Sequence, residues 1–142
     1  MKLSPPPLTL GLDVAAAPET VWDLLVHVDQ WPRWGPTVRR AQVDGSGGRI
    51  GPGATGTVWT PVGPGLPFRI DAWEETGPLR QWSWHVAGLP ATGHSVRARE
   101  GGCRVEMTAP WWATAYAPVL WLGLRRVRDL AQARSAGGDT TD

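Results

Sequence analysis

Apolar and polar positions along the 142-residue chain change period more than once. Residues 8–14 (LTLGLDV) alternate apolar with polar or small side chains, the signature of a half-buried strand. Pro18 then opens a helix, where its missing N–H costs nothing, and Glu19 follows near the positive end of the dipole. Val21, Leu24, Leu25 and Val28 fall at i, i+3, i+4 and i+7 and give that helix one apolar stripe. Pro32 disfavours helix at Trp31, so residues 31–36 (WPRWGP) read as a compact aromatic turn. From Val38 the period is two. Strands are predicted over 38–44, 54–60, 68–75, 81–87, 91–100 and 103–109. The last two are joined by Gly101 and Gly102, which accept the positive φ of a tight hairpin. After Ala109 the helical period returns. Trp112, Tyr116, Val119, Leu120, Gly123, Val127, Leu130 and Ala131 share one face of a helix predicted over 112–134. Arg125 and Asp129 lie off that face, spaced to pair. Pro118 either kinks this helix or marks its first turn. Residues 135–142 read as a polar, disordered tail.

Short connections between the strands imply an antiparallel sheet of six to seven strands. A long helix with one apolar face must bury it on that sheet, which gives an α+β architecture. No repeat or linker divides the chain, and 142 residues lie well below the roughly 250 at which chains split, so residues 1–142 are expected to form one domain.

Composition adds three constraints. The net charge of +1 supplies no strong field for nucleic acid or acidic lipid. One cysteine, Cys103, excludes an internal disulfide or a zinc finger. Ten tryptophans stand against one Tyr and one Phe. They either pack the core or wall a wide pocket for a flat, greasy ligand. Residues 1–10 lack the apolar run of a signal peptide. The most apolar stretch, 111–124, falls short of the roughly 20 residues of a membrane span and contains Pro118. A cytoplasmic protein without membrane insertion is expected.

Several segments carry a resemblance. Residues 14–25 (VAAAPETVWDLL) and 31–38 (WPRWGPTV) resemble the opening of the polyketide cyclase/dehydratase and START-related superfamily, often called SRPBCC. Residues 53–56 (GATG), 67–74 (PFRIDAWE), 82–84 (WSW), 101–105 (GGCRV) and the last helix follow in the matching order, so the likeness covers about 8–134. It implies a helix-grip fold, in which a curved antiparallel sheet wraps the C-terminal helix around a hydrophobic cavity. It also implies a small apolar ligand such as a lipid, sterol or polyketide, with cyclisation or dehydration catalysed by some members. The family has no universal catalytic motif, so no catalytic residue is carried over.

The residues nominate a site. Residues 51–56 (GPGATG) match a dinucleotide-binding glycine pattern, but a β pattern follows where that site needs a helix N-terminus. His27, His85 and His94 lack the helical i, i+4 spacing of metal ligands, and no metal or cofactor is expected. By strand phase His94 shares the inner face with Val96, where it is either a core histidine hydrogen-bonded to a neighbour or a neutral imidazole that acts as acid or base. Glu74 continues the Phe68–Ile70–Ala72 face and is the second catalytic candidate, as a carboxylate at a cavity mouth, the alternative being an exposed strand end. Tyr116 is a further proton-transfer candidate. The predicted lining is Phe68, Ile70, Trp82, Trp84, Val96, Met107, Trp112, Tyr116 and Leu120. Three functions stay open: a cyclase or dehydratase, a carrier or sensor without chemistry, and an interaction module whose cavity is filled by Trp.

Overall fold

The computed structural model describes residues 7–45 and 47–138. Its strands are β1 (Leu8–Val14), β2 (Arg40–Val43), β3 (Thr55–Trp59), β4 (Leu66–Glu74), β5 (Leu79–Val86), β6 (Leu89–Arg99) and β7 (Gly102–Ala109). Its helices are α1 (Pro18–Val26), α2 (Trp31–Trp34) and α3 (Ala117–Gly138), with 3₁₀ turns at Val28–Gln30 and Trp111–Tyr116. The strands form one antiparallel sheet in the order β1-β7-β6-β5-β4-β3-β2. The first strand thus lies beside the last, and α3 packs across β1 and β7 and against α1 and α2. This is the helix-grip α+β arrangement.

Each helix buries its apolar stripe. Val21, Leu24 and Leu25 of α1 meet Leu120, Leu124, Val127 and Ala131 of α3 in a core shared with Phe68, Ile70, Trp82, Val96, Val105 and Met107 of the sheet. Pro118 lies in the first turn of α3 and marks its start, where no helical N–H is required of it. Ahead of it the chain winds as a 3₁₀ turn, not as the α-helix expected from residue 112. At the other end α3 runs to Gly138, so residues 135–138, expected in the tail, are helical. Residues 139–142, the rest of that expected tail, lie outside the described residues.

Two turns repay inspection. The β6–β7 loop is Glu100–Gly101, since Arg99 already pairs with Gly102. Gly101 supplies the positive φ of 81°, whereas Gly102 is glycine for space: a Cβ there would sit 2.1 Å from the Val14 carbonyl oxygen. The β5–β6 turn places both Ala87 (φ 52°) and Gly88 (φ 80°) in the left-handed region, the conformation of a two-residue hairpin.

The pairing of β4 with β5 shifts between Ile70 and Ala72, a β-bulge. An extra residue inverts the alternation downstream of it. Trp73 therefore turns inward and packs on Trp22, their ring centroids 5.4 Å apart, while Ala72 and Glu74 are exposed. The expectation that Glu74 shares the Phe68–Ile70 face is corrected by this bulge.

Candidate functional site

The site begins with the end of α1. Its last carbonyls have no helical partner. The indole N–H of Trp34 donates to the Leu24 carbonyl at 2.8 Å, and that of Trp31 donates to the Leu25 carbonyl at 2.9 Å. The aromatic turn is thus fastened under the sheet with both rings buried. Trp31 stacks near-parallel with Trp82 (centroids 5.5 Å) and meets Trp84 and Phe68 edge-on or tilted. Trp82 stacks on His94 at 4.0 Å, and Trp34 approaches His94 edge-on at 5.7 Å.

Two adjoining spaces remain between sheet and helices. The inner cavity has a volume of about 50 Å³, and Trp82, Trp84, His94, Met107, Tyr116 and Leu120 are among its walls. The outer groove has a volume of about 280 Å³ and an almost wholly apolar wall that includes Val58, Leu66, Trp84, Val86, Trp112 and Tyr116. Thr37, Val38, Trp84, Thr92 and Tyr116 border both. Two hydrogen bonds hold this partition. The Thr37 hydroxyl and Tyr116 phenol lie 2.7 Å apart, and the Trp84 indole donates to Thr92 Oγ1 at 3.0 Å.

His94 stands behind the partition, only 5% exposed. Burial pushes its pKa down to about 3, with the Trp82 backbone acting in the opposite direction. Its Nε2 lies 3.3 Å from Thr92 Oγ1, while Nδ1 makes no hydrogen bond of acceptable geometry among the described residues. The buried indole nitrogen of Trp82 is likewise unpartnered. The imidazole is therefore neutral at ordinary pH, a hydrogen-bonding group and a poor store of protons.

The predicted site residues separate into four groups. Trp82, Trp84, Met107, Tyr116, Leu120 and His94 come together around the inner cavity. Trp112 is 56% exposed and stands on the outer groove instead, because the 3₁₀ turn rotates it away from the α3 face. Phe68, Ile70 and Val96 face inward as expected but are sealed in the core and border neither space. Glu74 stands at the exposed end of β4 and borders neither space. Thr76 donates to it from both its backbone N–H (3.0 Å) and its hydroxyl (2.6 Å), which holds its carboxyl below the usual range. Reading the sequence missed Trp31, Trp34, Thr37 and Thr92. The WPRW run was the signal for the first two, but their hydrogen bonds to α1 are not visible in spacing. No group of three His, Cys, Asp or Glu able to hold a metal occurs among the described residues.

A family model described as polyketide cyclase / dehydrase and lipid transport matches residues 9–138. No curated protein matches the chain. Solved structures share the fold at low identity. Protein jhp0584 of Helicobacter pylori has a TM-score of 0.65 at 12% identity, over 91% of this chain and 86% of its own. Protein CV1439 of Chromobacterium violaceum has a TM-score of 0.64 at 13% identity, over 89% of this chain and 98% of its own. The di-domain ARO/CYC StfQ of the steffimycin biosynthetic pathway has a TM-score of 0.62 at 15% identity, over 92% of this chain and 51% of its own.

Proposed function

The chain belongs to the polyketide cyclase / dehydrase and lipid transport family, and from that premise we propose that it binds one small, flat or aromatic apolar molecule in the outer groove. The observation that carries this reading is the groove itself: about 280 Å³, apolar, and flanked by Trp84, Trp112 and Tyr116. Its volume lies just below the roughly 300–1,000 Å³ typical of ligand sites. Rigid aromatic walls suit a rigid ligand, since little ordering entropy is lost on either side.

Native mass spectrometry of the purified protein tests this. An apolar small molecule should travel with the folded chain and be released on unfolding. Ala91→Trp places an indole in the groove and should abolish that adduct without unfolding the sheet. An adduct that survives this substitution, or an empty parent that takes up no apolar probe, would refute the reading.

One observation favours a second, catalytic reading: the buried imidazole of His94 on the wall of the inner cavity. A cyclase or dehydratase would use it as a neutral hydrogen-bonding or base group, with the Tyr116 phenol at the partition. Under that reading His94→Ala abolishes most turnover and leaves ligand binding intact, since one acid–base group contributes about 10²–10⁴ in rate. Under the carrier reading neither parent nor variant turns anything over.

A further inference from the structure

The large apolar side chains left exposed among the described residues are Val62, Leu89, Trp111, Trp112, Trp121 and Leu122. They gather at one end of the fold. Leu89 and Trp112 stand on the rim of the outer groove, and Val62 lies two residues beyond Thr60, another rim residue. Trp111 adjoins Trp112. Trp121 and Leu122 follow about one turn into α3, roughly 6–8 Å along its axis from Ala117.

Charge is segregated in the same way. The stretches 36–43, 57–68, 84–93 and 107–126, which supply this end, contain no Asp or Glu, whereas Arg39, Arg40, Arg125 and Arg126 lie within them. Arg125 and Arg126 make no ion pair among the described residues. The net charge of +1, read along the sequence as excluding acidic lipid, averages this asymmetry away.

The tryptophans differ in one more respect. Trp22, Trp31, Trp34 and Trp84 donate their indole N–H within the protein. Trp59, Trp73, Trp82, Trp111, Trp112 and Trp121 donate theirs to nothing among the described residues, and of these only Trp111, Trp112 and Trp121 are exposed. An exposed ring with a free N–H is satisfied at a membrane–water boundary, with the ring at headgroup level and the N–H toward polar headgroup atoms.

We propose that this end of the molecule docks on an anionic membrane surface, its aromatic rim at the headgroup level and its arginines against lipid phosphates. Contact is interfacial, since no helix of the described residues is long and apolar enough to cross a membrane. The surface extends the groove reading, on which its purpose rests: a groove that opens on a bilayer exchanges apolar molecules without carrying them through water.

Co-sedimentation with phosphatidylcholine vesicles, with and without phosphatidylglycerol, tests the proposal. The protein should pellet with the anionic vesicles and release as salt screens the arginines. Trp111→Ala with Trp121→Ala should lower partitioning about tenfold or more, since each indole removes a large apolar surface from the contact. Arg125→Gln with Arg126→Gln should lower it about fivefold per charge. Three results would overturn it: no pelleting of the parent with anionic vesicles, unchanged pelleting of the tryptophan pair, or a dimer in sedimentation velocity that the tryptophan pair abolishes. The last would make the patch a subunit interface. Binding of 1-anilinonaphthalene-8-sulfonate reports separately on the groove. Trp111 and Trp121 border neither space, so their variant should retain the dye, and loss of the groove reading leaves the vesicle result standing.

Discussion

Acidification should destabilise this protein through His94, and the size of the effect follows from its burial. The side chain is held neutral, with a folded pKa of about 3 against an ordinary 6.5. The unfolded chain therefore takes up a proton that the folded chain refuses. Stability rises with pH wherever the unfolded state binds more protons. The contribution is full above about pH 6.5 and is lost progressively as pH falls toward 3. Between pH 7 and pH 5 the loss is about 2 kcal/mol, at about 1.4 kcal/mol per pH unit once the unfolded imidazole is charged. Carboxylates enter only lower: Glu19, Glu74 and Glu75 are all held below their usual value, so their stabilising effect is lost further down the scale. Urea unfolding at pH 7 and pH 5 measures the difference, with the slope m checked for constancy. His94→Gln keeps a polar side chain beside Thr92 and removes the titration, so its stability should change by less than about 0.5 kcal/mol over the same interval. A parent that is equally stable at both pH values, or a variant with the parent's pH dependence, would refute the argument.

Other substitutions test single features. Ala87→Asn gives the β5–β6 hairpin the Asn-Gly pair that two left-handed residues favour and should raise stability by about 1 kcal/mol in urea titration. Gly123→Ala adds a methyl at ordinary contact, 3.4 Å from the Trp34 carbonyl oxygen and 3.7 Å from Met107 Sδ. It should raise the melting temperature, since Gly costs a helix about 1 kcal/mol relative to Ala. Burial, with the charges of Glu19 and Asp13, raises the Cys103 thiol to about 11, so iodoacetamide at pH 8 should label the chain only in denaturant. Rapid labelling of the native protein would contradict that.

How much of this was legible in the sequence depends on the range of the interaction. Local periodicity placed the strands and α3 because each residue's face follows from its immediate neighbours. It failed where one residue changes the phase. The bulge at Ile70/Ala72 carried Glu74 outward, and nothing in the run FRIDAWE marks it. The three residues per turn of the Trp111–Tyr116 segment moved Trp112 off the face that a 3.6 period assigns it. Phe68, Ile70 and Val96 were given the right face, but whether an inward side chain meets a cavity or another side chain is decided by the helices that cover it. Those contacts join residues far apart in sequence, such as Trp34 with His94 and Thr37 with Tyr116.

The partition is where binding and chemistry diverge. As it stands, the outer groove holds the accessible volume and the inner cavity holds His94, and a ligand confined to the groove cannot touch the imidazole. Joining them requires Tyr116 to leave Thr37, a hydrogen bond worth roughly 0.5–1.5 kcal/mol net. That cost is small beside the burial of a ligand's apolar surface at about 25 cal/mol per Å². The joined space passes the lower end of the ligand-site range and would bring the imidazole of His94 within reach of a polar group at the ligand's inner end. Removing the phenol with Tyr116→Phe separates the cases. If the ligand stays in the groove, its affinity and identity are unchanged. If it enters the inner cavity, the unlatched ring admits longer ligands and affinity for them rises. Titration of a homologous series of aromatic probes against parent and variant reads that length dependence directly, and an identical profile in the two proteins would confine the ligand to the groove.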